Sequence, residues 1–343
     1  MRRLLPILLL TLAVLLGSAG EGWSADFQKG LDAAKRRDSA TALREWKPLA
    51  NQGDAESQYN LGQMYRKGRG VTQDYETAVK WYKLAAEQGN AHAQYNLGKL
   101  YLKGRGVPQN HGTAVKWYEL AAQQGHISAQ YNVGWMYRRG QGIPQNYETA
   151  AKWYQLAAKQ GYASAQYNLG RMYRKGRGVP QNYGTAVKWY RLAAEQGHTK
   201  SQYNLGWMYR KGRGVIRNYQ TALKWYRLAA EHGHASARAS LGWMYRKGQG
   251  VPQNHLTAVK WYRLAAKQGH APAQTGLGYM YAKGYGVRQD NVRAYIWHDI
   301  AVSLGYNDAK DDRDIVAKKL TPSQIERLVR LARMCMKKNY EGC

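Results

Sequence analysis

A block of 36 residues recurs seven times without a gap between Ala55 and Tyr306. The fourth copy covers Ala163–His198 and reads ASAQYNLGRMYRKGRGVPQNYGTAVKWYRLAAEQGH. A fixed period of this length is typical of solenoids, in which each repeat buries its apolar face only against its neighbours. Such an array offers a long surface and no obvious closed pocket, which favours a binding scaffold over an enzyme.

The pattern inside one repeat predicts two helices, here called helix A and helix B, with positions numbered 1 to 36. Apolar or small residues at positions 1, 3, 7, 8, 10 and 11 have the spacing of one face of helix A. Gly at positions 14 and 16 ends this helix, and Asn or Asp at position 20 is a good N-cap for helix B. Trp at position 27 and Tyr at position 28 are expected to fill the space between repeats, so we expect Trp189 to be buried.

These residues carry a family resemblance. The runs A-x-A-x-x-x-L-G-x-x-Y, K-G-x-G-V and A-x-x-W-Y-x-x-A-A-x-x-G resemble the Sel1-like repeat, a relative of the tetratricopeptide repeat, over about three quarters of the chain. The resemblance implies an all-α, right-handed superhelical solenoid of antiparallel helix pairs with helical caps. It also implies a role in protein–protein interaction or complex assembly.

The regions outside the repeats suggest an exported chain. A charged start, an apolar run over Leu4–Leu16 and the small residues that follow have the layout of a secretory signal peptide. A buried N-terminal core helix is the alternative. The run is shorter than a membrane-spanning helix, so we expect no transmembrane segment in the mature chain and a periplasmic or secreted location in a bacterium. The expected organisation is a signal peptide over 1–20, a linker and helical cap over 21–54, the repeats over 55–306, and a helical cap and tail over 307–343.

Composition adds a strong basic excess and few cysteines. Lys and Arg number 52 against 22 Asp and Glu, which gives a formal net charge of +30 and predicts attraction to anionic partners or surfaces. Cys335 and Cys343 are the two cysteines of the chain. In an oxidising compartment they could form one short-loop disulfide, remain free thiols, or bond between chains.

No pattern in the sequence indicates catalysis. Acidic residues are scattered over different repeats, and no nucleophile elbow, phosphate loop or metal-protease motif is present. The His residues at position 36 occur once per repeat, which favours polar turn residues over shared metal ligands. We therefore predict no catalytic residue, no cofactor and no metal site.

The candidate binding residues lie on helix A. Alignment with the tetratricopeptide repeat, through the shared Leu-Gly and Tyr, implies that positions 2, 5, 9 and 12 form a concave stripe. Position 9 varies while its neighbours barely change, and we expect Trp207 to be largely exposed before a partner binds. Tyr at position 5, Arg at position 12 and Trp at position 9 could instead serve packing or helix capping. The predicted partner-binding residues are Tyr131, Trp135, Arg138, Tyr167, Arg171, Arg174, Tyr203, Trp207, Arg210, Trp243 and Arg246.

Three functions fit the sequence. The first is an exported, non-enzymatic scaffold that binds a protein partner or an anionic peptide through a basic, aromatic groove. The second is a binder of polyanionic envelope components, such as lipopolysaccharide or acidic glycan, or of nucleic acid. The third, a hydrolase acting on envelope material, lacks a catalytic constellation.

Overall fold

The computed structural model describes residues 26–340, and every regular element in that part of the chain is a helix. Residues up to Gln160 form one compact unit, here the N-terminal half, and residues from Gly161 onward form another, the C-terminal half. The predicted signal peptide over 1–20 and Cys343 lie outside the described residues.

The helices follow the predicted order, with a first helix, α1, over residues 26–35. The others are α2 (Ser39–Asn51), α3 (Ala55–Lys67), α4 (Tyr75–Glu87), α5 (Ala91–Lys103), α6 (His111–Gln123), α7 (Ile127–Arg139), α8 (Tyr147–Lys159), α9 (Ala163–Lys175), α10 (Tyr183–Glu195), α11 (Thr199–Lys211), α12 (Tyr219–Glu231), α13 (Ala235–Lys247), α14 (His255–Ala266), α15 (Ala271–Lys283), α16 (Asn291–Ser303), a 3₁₀ turn (Asn307–Ala309), α17 (Lys310–Ala317) and α18 (Pro322–Lys337).

The ends of the repeat helices are set by the residues that the sequence indicated. Gly212 ends α11 in the left-handed conformation, with φ of 66°, and its N–H donates to the carbonyl of Met208. Asn218 then caps α12, because its side chain accepts from the N–H of Thr221 at 2.8 Å. Each repeat therefore folds into a pair of helices, and within each half consecutive pairs stack on one another, as in the helical solenoid that the sequence predicted.

The core of each of the first six repeats is built around the Tyr at position 28, and His298 takes this place in the seventh. Tyr226 has no exposed surface, and its ring lies on Gly206, where an added Cβ would approach the ring to 2.8 Å. Only glycine permits this close contact between helix A and helix B. The expectation that Trp189, at position 27, is buried was wrong: its side chain is half-buried, whereas Tyr190 beside it is fully buried.

In the N-terminal half, a buried Gln at position 4 links each repeat to the helix pair before it. The side-chain N–H of Gln94 donates to the carbonyl of Ala86 in the preceding repeat at 3.0 Å. Its side-chain oxygen accepts from Gln124 of its own repeat at 2.8 Å. These bonds satisfy a buried amide and a helix C-terminal carbonyl at once, so they favour one register of stacking.

The C-terminal segment closes the last repeat with two further helices. Thr321 and Gln324 form a capping box at the start of α18, which confirms the predicted start of this helix. Leu328 and Ala332 are buried in the same apolar cluster as α15 and α16. Arg313 of α17 forms an ion pair with Asp299 of α16 at 3.3 Å. Cys335 is disulfide-bonded.

Candidate protein-binding surface

Positions 5, 9 and 12 fall on one face of each helix A because they are four and three residues apart. In the C-terminal half this face carries Arg at position 12 beside an aromatic residue at position 9 of the following repeat. The guanidinium of Arg174 lies 5.7 Å from the ring centre of Trp207, and that of Arg210 lies 4.9 Å from Trp243. We call this row of cation–π pairs the Arg–aromatic stripe.

The stripe continues one repeat beyond the predicted residues. Arg246 lies over the ring of Tyr279 at 4.8 Å, in the same relation as the two preceding pairs. Tyr279 was absent from the predicted set because the prediction singled out Trp at position 9. Any aromatic ring at position 9 can form a cation–π contact with the Arg at position 12 of the preceding repeat. A search for aromatic residues in general, rather than for Trp, would have identified Tyr279.

The Trp residues of the stripe also contribute to packing. Trp207 is half-buried and contacts the apolar clusters of α10–α11 and α12–α13, so the expectation of a largely exposed side chain was wrong. Trp243 is likewise half-buried. Each side chain therefore packs partly on the core and keeps part of its surface exposed.

The Arg residues at position 12 in the stripe lie beside the buried Tyr of the same repeat. Burial raises the pKa of Tyr190 and of Tyr226 to about 12, and the positive charges of Arg174 and Arg210 beside them oppose that shift. In the N-terminal half, Arg138 donates from Nε to the hydroxyl of Tyr154 at 3.3 Å. The guanidinium of Arg138 is thus held by a hydrogen bond, and those of Arg174 and Arg210 are placed by the rings that they lie over.

The Tyr residues at position 5 are mainly packing residues. The ring centres of Tyr167 and Tyr190 are 6.0 Å apart, and those of Tyr203 and Tyr226 are 5.7 Å apart. Tyr131, in the N-terminal half, has the same relation to its own buried Tyr at 5.7 Å. These three half-buried residues pack on the fully buried Tyr of their own helix pair. The residues at positions 9 and 12 therefore remain as the candidate contact residues.

The remaining predicted residues have different surroundings in the two halves of the chain. Trp135 is half-buried and packs on the cluster of α6 and α7 in the N-terminal half. Arg171, in the C-terminal half, is half-buried and stands where later repeats carry an aromatic ring. Position 9 is Gln63 in the first repeat, where the amide bonds with Tyr59 and Arg66. The regular Arg–aromatic stripe therefore belongs to the C-terminal half.

The His residues at position 36 have a role that the sequence did not reveal. The Nδ1 atom of His234 accepts from the backbone N–H of Ala237 at 3.2 Å, so the ring caps α13. His126, His198 and His270 cap α7, α11 and α15 in the same way. An imidazole can accept this bond only while Nδ1 is unprotonated.

These caps predict a loss of stability in weak acid. Burial lowers the pKa of His198, His234 and His270 below the ordinary 6.5, helped by the charge of Lys200 near the first two and by His234 near the third. The folded chain binds fewer protons than the unfolded chain, so stability is full above pH 6.5 and falls as the pH drops through and below it. Denaturant unfolding of the wild type should show a loss of about 0.5–2 kcal/mol per cap.

The chain supplies its own control for this prediction. Asn90 caps α5 at the same position, where its side chain accepts from Ala93 at 2.8 Å without a titratable group. A variant with Asn in place of His126, His198, His234 and His270 should keep the caps and lose the part of the pH dependence that they contribute. Burial lowers the pKa of His298 to about 4, so this residue keeps its own contribution in the variant. An unchanged pH dependence would show that the caps are not its source.

Within residues 26–340, no group of three or more His, Cys, Asp or Glu side chains could hold a metal ion. No helix in the same part of the chain combines the length and the apolar character needed to cross a bilayer.

Comparison with known proteins identifies the repeat. The model of the Sel1 repeat family matches residues 55–90, 91–126, 127–162, 163–198, 199–234, 235–270 and 271–306. The chain belongs to the Sel1 repeat family. Sel1-repeat proteins are generally scaffolds for protein–protein interaction. The seven predicted repeats are thereby confirmed with their predicted boundaries.

Two solved structures of Sel1-repeat proteins resemble this chain. A Sel1 repeat protein from Oxalobacter formigenes is 34% identical, with 70% of this chain and 96% of that chain covered and a TM-score of 0.61. The protein c5321, a protective antigen of uropathogenic Escherichia coli strains with the same repeat fold, is 30% identical. That match covers 94% of this chain and 86% of the other, with a TM-score of 0.48. None of the curated proteins matches the chain.

Proposed function

We propose that this Sel1-repeat protein is an exported, non-enzymatic scaffold that binds a protein partner through the Arg–aromatic stripe of its C-terminal half. The observation that carries the proposal is the alternation of guanidinium and ring from Arg174 to Tyr279. The general role of the family as interaction scaffolds supports the same conclusion.

The chemistry of the stripe favours an acidic segment of the partner. A guanidinium gives two parallel hydrogen bonds to a carboxylate, and the half-buried ring beside it offers apolar surface. Trp, Tyr and Arg are also the residue types that dominate the energy of protein interfaces. Because the guanidinium groups of Arg174 and Arg210 already lie over an aromatic ring, little side-chain freedom is lost on binding.

The proposal is tested by site-specific photo-crosslinking in the native host. A photoreactive residue in place of Arg171 lies on the same face of helix A and leaves every Arg–aromatic pair intact, whereas one in place of Lys224 replaces an exposed residue of helix B. We expect a discrete protein adduct from position 171 alone. Equal adducts from both positions, or none from position 171, would contradict the assignment of the stripe as the binding surface.

The net charge of +30 supports a second candidate, the binding of an envelope polyanion or nucleic acid. The two candidate functions differ in whether the binding affinity depends on where a positive charge lies on the protein. We expect Arg210→Gln to weaken binding of the crosslinked partner by about 1.5 kcal/mol or more, because a charge-assisted hydrogen bond is lost. Lys224→Gln removes the same charge from an exposed site and should have little effect.

Heparin is the probe for the polyanion alternative. Its affinity should fall steeply with salt and should respond equally to Arg210→Gln and Lys224→Gln, because diffuse attraction counts charges rather than positions. If the partner behaves like heparin in both respects, the second candidate is correct. Lys152 is a poorer control than Lys224, because it forms an ion pair with Glu148 at 2.9 Å.

Export is a separate part of the proposal, supported by the layout of residues 1–20. We expect N-terminal sequencing of the protein recovered from the periplasm or medium to begin between Gly20 and Asp26. Cleavage depends on the apolar run, so replacing Leu9 and Leu10 with Arg should leave the uncleaved chain inside the cell. A mature wild-type protein that still starts at Met1 would contradict export by this route.

A further inference from the structure

The last two repeats together form a basic cleft whose lining shares no residue with the Arg–aromatic stripe. The cavity has a volume of about 550 Å³, and its lining includes Arg263, Tyr281, Arg288, Asp290 and Arg293. Its residues occupy positions 11, 18, 20, 23 and 29 of the repeat pattern, whereas the stripe uses positions 9 and 12. The proposed function makes no use of this cleft.

Two of the three cleft arginines depart from the repeat. Arg288 stands at position 18, where four other repeats have Pro, and Arg293 stands at position 23, where all six other repeats have Thr. The other repeats form the same helix pair without these side chains. The fold therefore does not require either Arg. Within the cleft Arg293 lies 3.7 Å from the carboxylate of Asp290 and 5.6 Å from the ring centre of Tyr281, so its guanidinium is already placed at the cleft wall.

The third arginine belongs to a series that provides an internal comparison. Arg263 donates to the hydroxyl of Tyr281 at 3.2 Å, and Arg227 makes the equivalent bond to Tyr245 at 3.1 Å in the preceding repeat. Only Arg263 has the two additional arginines beside it. An Arg at position 29 with the same Tyr bond thus occurs both in the cleft, as Arg263, and outside it, as Arg227.

The charges of the cleft are not balanced by the protein. Three guanidinium groups face one carboxylate, that of Asp290, which leaves two positive charges. The Asp290 side chain also accepts the backbone N–H of Arg293 at 2.9 Å as the N-cap of α16. The hydroxyl of Tyr281 accepts from Arg263, so its own hydrogen remains available to donate to an anion.

We propose that this cleft binds a phosphate monoester. A monoester near neutral pH carries close to two negative charges and three acceptor oxygens, which match the two excess positive charges and the guanidinium forks. The cavity lies within the size range of small-molecule sites. It therefore has room for the group that carries the phosphate, such as the glycerol of a soluble ester or of a lipid headgroup.

The test is calorimetric titration of the full chain with glycerol 3-phosphate, at a pH of about 7.5 where the monoester is a dianion. Saturable binding is expected, and Arg263→Gln should weaken it by about tenfold or more, because a charge-assisted contact is lost. Arg227→Gln removes the same charge and the same Tyr bond one repeat earlier, and it should change the affinity by less than about twofold. Equal effects of both variants would overturn the proposal.

A second variant replaces the two unusual arginines by the residues that other repeats carry at the same positions. Arg288→Pro together with Arg293→Thr restores their pattern, so the helix pair is expected to fold while binding falls by at least about tenfold. Succinate, a dicarboxylate of similar charge, should bind more weakly than glycerol 3-phosphate. An equal or higher affinity for succinate, or no saturable binding of either probe, would also overturn the assignment.

An experiment with lipid vesicles distinguishes a soluble phosphate monoester from a lipid headgroup as the ligand. Phosphatidylcholine vesicles containing phosphatidic acid present the same phosphate at a membrane surface. Co-sedimentation that Arg263→Gln abolishes and Arg227→Gln preserves would assign the cleft to the lipid headgroup. Binding of glycerol 3-phosphate without co-sedimentation would assign it to a soluble ester, and failure of both probes would exclude a monoester site.

Discussion

Replacing Tyr226 with Ala is expected to lower the free energy of unfolding by about 3–5 kcal/mol, the range for truncation of a large buried aromatic side chain. Tyr226 is fully buried, and it lies in one cluster with Leu223, Leu241 and Met244. Its contact with Gly206 joins the two helices of the repeat, so the surroundings have little freedom to fill the cavity. Denaturant unfolding followed by circular dichroism measures the effect.

Two further variants show which part of the Tyr226 side chain causes the loss of stability and whether the neighbouring Trp225 contributes as much. Tyr226→Phe removes only the hydroxyl and should cost no more than about 1.5 kcal/mol. Trp225→Ala truncates the adjacent side chain, which is half-buried, and should cost less than Tyr226→Ala although Trp is larger. A greater loss for Trp225→Ala would place the core at position 27 and contradict the packing described above.

Trp207→Ala is expected to weaken binding of the crosslinked partner by about 2 kcal/mol or more, as for an interface hot spot. The ring carries the guanidinium of Arg174 at 5.7 Å, so its loss removes an apolar contact and frees the Arg that it orients. Calorimetric titration of the purified partner measures the change. Because Trp207 is half-buried, the substitution should also reduce the stability of the array.

Trp225→Ala separates binding from stability. Both Trp residues belong to the same repeat, both are half-buried, and both pack on the cluster that contains Tyr190 and Leu205. We expect similar losses of stability from the two substitutions but weaker partner binding only from Trp207→Ala. If both weaken binding equally, the effect comes from the fold and the Arg–aromatic stripe is not the contact surface.

The sequence determined the elements that depend on local rules. Gly212 ends α11 and Asn218 begins α12 because a left-handed residue and a side-chain cap act within one or two turns of the chain. The start of α18 at Thr321 follows from the same kind of rule. The fixed period then required each helix pair to stack on the next, so the solenoid could be predicted without coordinates.

The tertiary structure alone decided which side chains face the core and which meet across repeats. Trp225 and Tyr226 are consecutive large residues about 100° apart on one helix, and only the close approach of Gly206 selects Tyr226 for burial. The capping bond of His234 and the pairing of Arg210 with Trp243 likewise depend on angles and distances that a 36-residue period does not specify. The basic cleft brings Arg263 together with residues of the next repeat, and this juxtaposition follows from how the two repeats pack rather than from their spacing in sequence.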